Sequence, residues 1–164
     1  MIIPNLPKRS KRPSTPNTDK TDAAVRQLNL LFGQLAEPLY VVISHRPPKG
    51  RGLQTKSFRT DQLKKAAAFG VNRSEAGEDV YVRICPVESP LPAGKRGTAK
   101  ESKSLPAVFA DLELVKNGHP PDQAIALEIM HKALPLDPMM IINSGHGLHV
   151  YWVFKEPLDD MAEA

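Results

Sequence analysis

Cysteine is nearly missing from this chain: Cys85 stands alone among 164 residues. A single thiol excludes an intramolecular disulfide framework and a Cys-rich zinc site, and it fits a reducing compartment. No apolar run approaches the roughly 20 residues that a membrane-spanning helix needs. The opening Met1-Ile2-Ile3-Pro4-Asn5-Leu6-Pro7-Lys8-Arg9 has neither the apolar stretch nor the cleavage site of a secretory signal. No internal repeat is present. These absences point to a cytoplasmic protein with no membrane partner.

Proline, in contrast, is abundant, with 16 residues that divide the chain into short elements. Apolar residues make up 41%, enough for a packed core. The length suits one domain. The formal charge is +4 and the pI about 9.2. Much of that excess lies before residue 20, in Lys8, Arg9, Lys11 and Arg12. Residues 1–18 therefore read as a disordered basic arm, and residues 19–164 as the domain.

Apolar spacing predicts a helix over 20–36, carried by Val25, Leu28, Leu31, Phe32 and Leu35, with Thr21 or Asp22 as cap and Pro38 as stop. Tyr40–Ile43 reads as a short buried strand, and His45–Gly52 as a basic loop rich in helix breakers. A second helix is expected over Asp61–Phe69, ended by Gly70. Asp79–Val87 alternates like a strand. Residues 88–104, with Lys95, Arg96, Lys100 and Lys103, read as a long flexible loop. Further on, a strand over 106–115, a helix over Pro121–Ala133 and a hairpin of 139–143 with 148–154 complete the pattern, and Leu158 looks like a helix start. The order implies an α+β fold, with helices on one face of a mostly antiparallel sheet.

Two places in this order carry chemistry. Asp111-Leu112-Glu113 puts two carboxylates on one face of an otherwise apolar strand, because residues i and i+2 of a strand share a face. Paired anions in such a setting need a cation, and hard cations such as Mg2+ or Mn2+ take carboxylate oxygens. The second place is Ser144-Gly145-His146-Gly147-Leu148-His149, a glycine turn leading into a strand. Glycines there allow close backbone approach and present amide N–H groups to a phosphate, and His149 stands beside them as a further donor.

Together these segments resemble two motifs of the archaeo-eukaryotic primase superfamily, in particular the primase–polymerases of phages, plasmids and other mobile elements. Val108-Phe109-Ala110-Asp111-Leu112-Glu113 is similar to the metal-binding acid motif, with Asp-x-Glu in place of the common Asp-x-Asp. Ser144–Trp152 is similar to the nucleotide-binding histidine motif, and Tyr81–Val87 with the basic loop after it also looks similar. The resemblance covers about residues 79–157. It implies an RRM-like sheet and template-directed nucleotide addition with two divalent metals. Asp111 and Glu113 would be catalytic metal ligands and His149 catalytic. Ser144, Gly145, Gly147 and His149 would bind the triphosphate. Arg83, Lys95, Arg96 and Lys100 would contact nucleic acid. The implied partners are a DNA template and primer, nucleoside triphosphates and a helicase domain or partner. The family's third acid belongs on a later strand that this sequence does not reach. The expectation is thus the N-terminal, C-terminally truncated part of a primase–polymerase core. Two alternatives stand beside it: a non-catalytic nucleic-acid-binding replication fragment, and a rolling-circle replication endonuclease. The latter class separates its paired histidines by one residue, whereas two stand between His146 and His149.

Overall fold

Leu28, Leu31 and Phe32 form the buried stripe of helix α1 (Asn17–Phe32). The computed structural model describes residues 17–48, 52–114, 120–134, 136–144 and 147–159. The first 16 residues of the expected basic arm lie outside these. Asn17 and Thr18, assigned to the arm from the sequence, open α1 instead, so Thr21 and Asp22 lie inside the helix rather than capping it.

Strand β1 (Tyr40–Arg46) is buried from Val41 to His45, which explains its unbroken apolar run. It reaches three residues beyond the expected Ile43, taking His45 and Arg46 out of the expected loop, while residues 49–51 of that loop lie outside the described ones. β2 (Gln54–Arg59) and β3 (Asp79–Val82) flank β1, both antiparallel. β2 was not foreseen: Gln-Thr-Lys-Ser-Phe-Arg buries only Phe58, as an edge strand can.

Helix α2 (Leu63–Glu75) follows a single 3-10 turn at Thr60–Gln62. It runs past Gly70, the expected stop, and ends at Gly77 instead. Gly77 has φ +79°, the left-handed conformation that glycine adopts without steric cost. The Gly77 N–H donates to the Ser74 carbonyl (3.0 Å) and the Glu78 N–H to the Arg73 carbonyl (3.1 Å), a Schellman end. This turn sends the chain directly from α2 into β3, and it sets the positions of Glu78 and Asp79.

β3 stops at Val82, short of the expected Val87, although Val87 makes isolated bridges to Tyr40 and Ser102. The expected flexible loop at 88–104 is internally bonded. A 3-10 turn at Ala99–Glu101 is capped reciprocally by Thr98 and Glu101, and the bonds from Thr98 hold the Glu101 carboxyl below its ordinary pKa. Arg83 fastens the loop. Its Nε donates to the Cys85 carbonyl (2.8 Å), Nη1 to the Arg96 carbonyl (3.0 Å), and Nη2 to the Thr98 carbonyl (2.7 Å) and to Ser102 Oγ (2.5 Å).

The second sheet is β4-β6-β5, from β4 (Leu105–Glu113), β5 (Met140–Asn143) and β6 (Gly147–Leu158), again antiparallel. Helix α3 (Gln123–Ala133) starts at Asp122, whose Oδ1 accepts from the Ile125 N–H (2.9 Å); Pro121 precedes the cap rather than opening the helix. Leu158 is the last residue of β6, not a helix start, and its pairing with Leu105 lies beyond a register shift that accommodates Pro157.

The fold is α+β, with three α-helices among the described residues. The single sheet expected from the sequence is divided into two sheets of three strands. One core joins them: Leu28, Leu31 and Phe32 of α1 and Ala66 and Ala67 of α2 pack with Val41 and Ile43 of β1 and with Ala107 and Tyr151 of the second sheet. α3 covers the opposite face of that second sheet through Ala126 and Met130 against Leu148 and Val150. Helices therefore lie on both of its faces.

Candidate active site

Along β4, Ala107, Phe109, Asp111 and Glu113 alternate onto the face that looks toward the first sheet. The ladder with β6 pairs Phe109 with Tyr151, Asp111 with His149 and Glu113 with Gly147. Ala107 and Tyr151 belong to the buried core. One ladder step beyond Phe109, the packing gives way to a cleft of about 670 Å³, within the 300–1,000 Å³ range typical of ligand sites. Asp111, Glu113 and His149 line one wall. Ser74, Glu78, Asp79, Val80 and Tyr81, from the end of α2, the α2–β3 turn and β3, line the other.

His149 Nε2 stands 3.6 Å from Asp111 Oδ1, an ion pair when the ring is protonated. Both side chains remain accessible, 36% and 55% exposed. Their neighbour Tyr151 stacks on Phe109, with centroids 5.8 Å apart and planes at 23°. Burial pushes the Tyr151 phenol above its ordinary pKa, and the negative charge of Asp111 pushes it the same way.

Ser144 lines the cleft and also bonds to Gly147 at the start of β6. Its Oγ donates to the Gly147 carbonyl (3.1 Å) and accepts from the Gly147 N–H (3.1 Å). Gly147 is required by packing: a Cβ there would lie 2.2 Å from the Leu112 carbonyl oxygen. Its amide is engaged by Ser144 rather than turned to a ligand. Gly145 and His146 lie outside the described residues. The structure thus brings together Asp111, Glu113, His149, Ser144 and Gly147. It does not bring Arg83, Lys95, Arg96 or Lys100 to the lining. Arg83 is committed to the loop. Lys95, Arg96 and Lys100 are exposed on it.

Sequence reasoning missed the second wall. Glu78 and Asp79 come from a helix end that depends on Gly77 rather than Gly70. Gly77 just before an acid pair was the available signal. Glu78 is sealed on its inner side: Oε2 is hydrogen-bonded to Nδ1 of the buried His45, and Oε1 accepts from Arg73 Nη1 (3.3 Å). The cleft is acid-rich, with Glu78, Asp79, Asp111 and Glu113, and no lysine or arginine is among its described lining residues. Among the described residues no group of three or more His, Cys, Asp or Glu converges for an all-protein metal site. Mg2+ seldom needs one, because it is usually held by one or two carboxylates with waters and substrate phosphates.

Comparison with models of protein families, with curated proteins and with solved structures gave no match. None of the helices among the described residues is long and apolar enough to cross a membrane.

Proposed function

We propose that the cleft binds a nucleoside triphosphate through a divalent cation and that the chain carries a nucleotidyltransferase site of the primase–polymerase type. The observation that carries this reading is the direct cross-strand pairing of Asp111 with His149, beside Glu113 and Ser144 in one cleft. A carboxylate pair, a histidine and a hydroxyl converge there from two motifs far apart in sequence.

The donor set fits Mg2+ or Mn2+. Asp111 and Glu113 are hard oxygen donors on one strand face, accessible to the cleft. A bound cation of this kind neutralises phosphate charge and polarises the reacting phosphoryl group. Asp111 and Glu113 would hold the cation, and His149, within reach of the same volume, would donate to a phosphate oxygen. Ser144 Oγ, bonded to Gly147, keeps an acceptor lone pair beside it. An acid-rich cleft repels bare phosphate, so triphosphate binding is expected only with metal present. The RRM-like primase core, the DNA template and primer, and a helicase partner belong to the same proposal. So do the basic side chains of Lys95 and Lys100, which would meet the nucleic-acid backbone outside the cleft.

Calorimetry of nucleoside triphosphate binding with and without Mn2+ tests this reading. Metal-dependent binding that Asp111→Ala abolishes and His149→Ala weakens about tenfold, as loss of a charge-assisted hydrogen bond would, is the expected result. Binding without metal, or binding that both variants retain, would overturn it.

A further inference from the structure

The wall opposite the carboxylates carries an aromatic ring with no place in the core. β3 alternates: Val80 and Val82 pack against the joint core, so Asp79 and Tyr81 are turned outward. Because the packed valines set this register, the ring cannot turn inward without exposing them. Tyr81 remains 40% exposed and lines the cleft that holds Asp111, Glu113 and His149.

A cation backs the ring. The Arg96 guanidinium lies 5.9 Å from the Tyr81 centroid, inside the distance at which a cation is attracted to an aromatic face. Arg96 is not among the residues lining the cleft, and Tyr81 lines it together with Asp79 and Val80 of β3. The placement is built in. Arg83 holds the Arg96 carbonyl (3.0 Å) and the Thr98 carbonyl (2.7 Å) through its two Nη atoms. The loop that carries Arg96 is therefore fixed against β3 by the residue two positions after Tyr81.

We infer that Tyr81, backed by Arg96, is the nucleobase platform of the cleft, with Arg83 as the positioning residue behind it. The base would stack on the ring while the phosphates meet the opposite wall. This rests on the reading of Asp111, Glu113 and His149 as the cation and phosphate site. It adds that the ligand is a nucleotide with its base engaged, rather than any polyphosphate. Every base has a π-face, so such a platform tolerates purines and pyrimidines alike.

Two probes separate the two readings: ATP, and inorganic tripolyphosphate, which has no base, each titrated with Mn2+ into the full chain. Tyr81→Ala is expected to weaken ATP about tenfold or more, the scale of a lost base–aromatic stack, and to leave tripolyphosphate unchanged. Tyr81→Phe keeps the ring and is expected to keep ATP affinity within about twofold, since stacking needs no hydroxyl. Equal effects of Tyr81→Ala on both probes, or no effect on either, would overturn the platform, as would Tyr81→Phe behaving like Tyr81→Ala. If the wild-type chain takes up neither probe with Mn2+, the cation site falls and the platform falls with it. If tripolyphosphate binds and depends on Asp111 while Tyr81→Ala spares ATP, only the platform is lost.

Discussion

The molecule holds two histidine–carboxylate pairs, one with its histidine on each sheet, and they differ in what surrounds them. In the first sheet, His45 and Glu78 have side chains 4% and 9% exposed. Arg73 takes the second carboxylate oxygen at 3.3 Å, and Phe69 packs its ring edge-on to His45, with centroids 5.5 Å apart. In the second sheet, His149 and Asp111 stand 3.6 Å apart and 36% and 55% exposed. Each histidine sits on the central strand of its sheet. The difference lies along the strand: His45 falls where α2 still covers β1, whereas His149 falls past the end of the packed patch formed by Ala107 and Tyr151. Residue type alone does not distinguish a closed pair from an open one. Access to the cleft and the number of partners already engaged do.

The largest difference between the pairs is expected at His45. His45→Ala leaves Glu78 buried beside a cavity and is expected to cost about 4 kcal/mol, the scale of a disrupted buried pair. His149→Ala is expected to change stability by less than about 0.5 kcal/mol, as at an accessible site. Denaturant unfolding of both variants checks the contrast. Equal losses would remove the distinction between the pairs.

Next in size is Gly147→Ala. Its Cβ would meet the Leu112 carbonyl oxygen at 2.2 Å, so β4 and β6 must separate where Glu113 is positioned. A loss of about 3 kcal/mol is expected, at the upper end of ordinary overpacking, together with weakened triphosphate binding. Arg83→Met is expected to cost about 2 kcal/mol, because carbonyls of the 88–104 loop lose a charged donor. Amide exchange there should accelerate, while the β4–β6 ladder is unaffected.

The smallest effect sharpens the electrostatics of the open pair. The Tyr151 phenol is raised above its ordinary value near 10 by burial and then by Asp111. The unfolded chain therefore ionises first as pH rises. The contribution of Tyr151 is fully present below about pH 10 and is lost as pH climbs through the folded-state value. Tyr151→Phe should remove that alkaline loss. Asp111→Asn should lower the folded-state phenol midpoint part of the way, leaving the effect of burial, as read by ultraviolet titration.

Much of the open wall was legible in the sequence because it obeys a local rule. The i, i+2 spacing puts Asp111 and Glu113 on one face, and the glycine turn puts His149 near the start of the returning strand; the pairing of that strand with β4, which sets His149 opposite Asp111, is non-local. The opposite wall was not legible, since it depends on events the local pattern does not record. Gly70 and Gly77 are both plausible helix ends, and only the packing of α2 on β1 and β3 selects the second. β2 has too few apolar residues to announce itself, and it becomes a strand because β1 offers it an edge. The division into two sheets escaped for a similar reason, because strand pairing is chosen by the joint core and not by strand order. Arg83 read as a nucleic-acid contact, but the acceptors it satisfies lie in a loop whose course only the fold reveals.

Whether Asp111 and Glu113 hold a divalent cation is read by an Mn2+ titration followed by electron paramagnetic resonance on the wild-type chain and on the Asp111→Asn, Glu113→Gln double variant. Saturable Mn2+ uptake by the wild type, its loss in the double variant, and an unfolding midpoint that stays in place are expected. Equal uptake by both proteins would contradict the assignment.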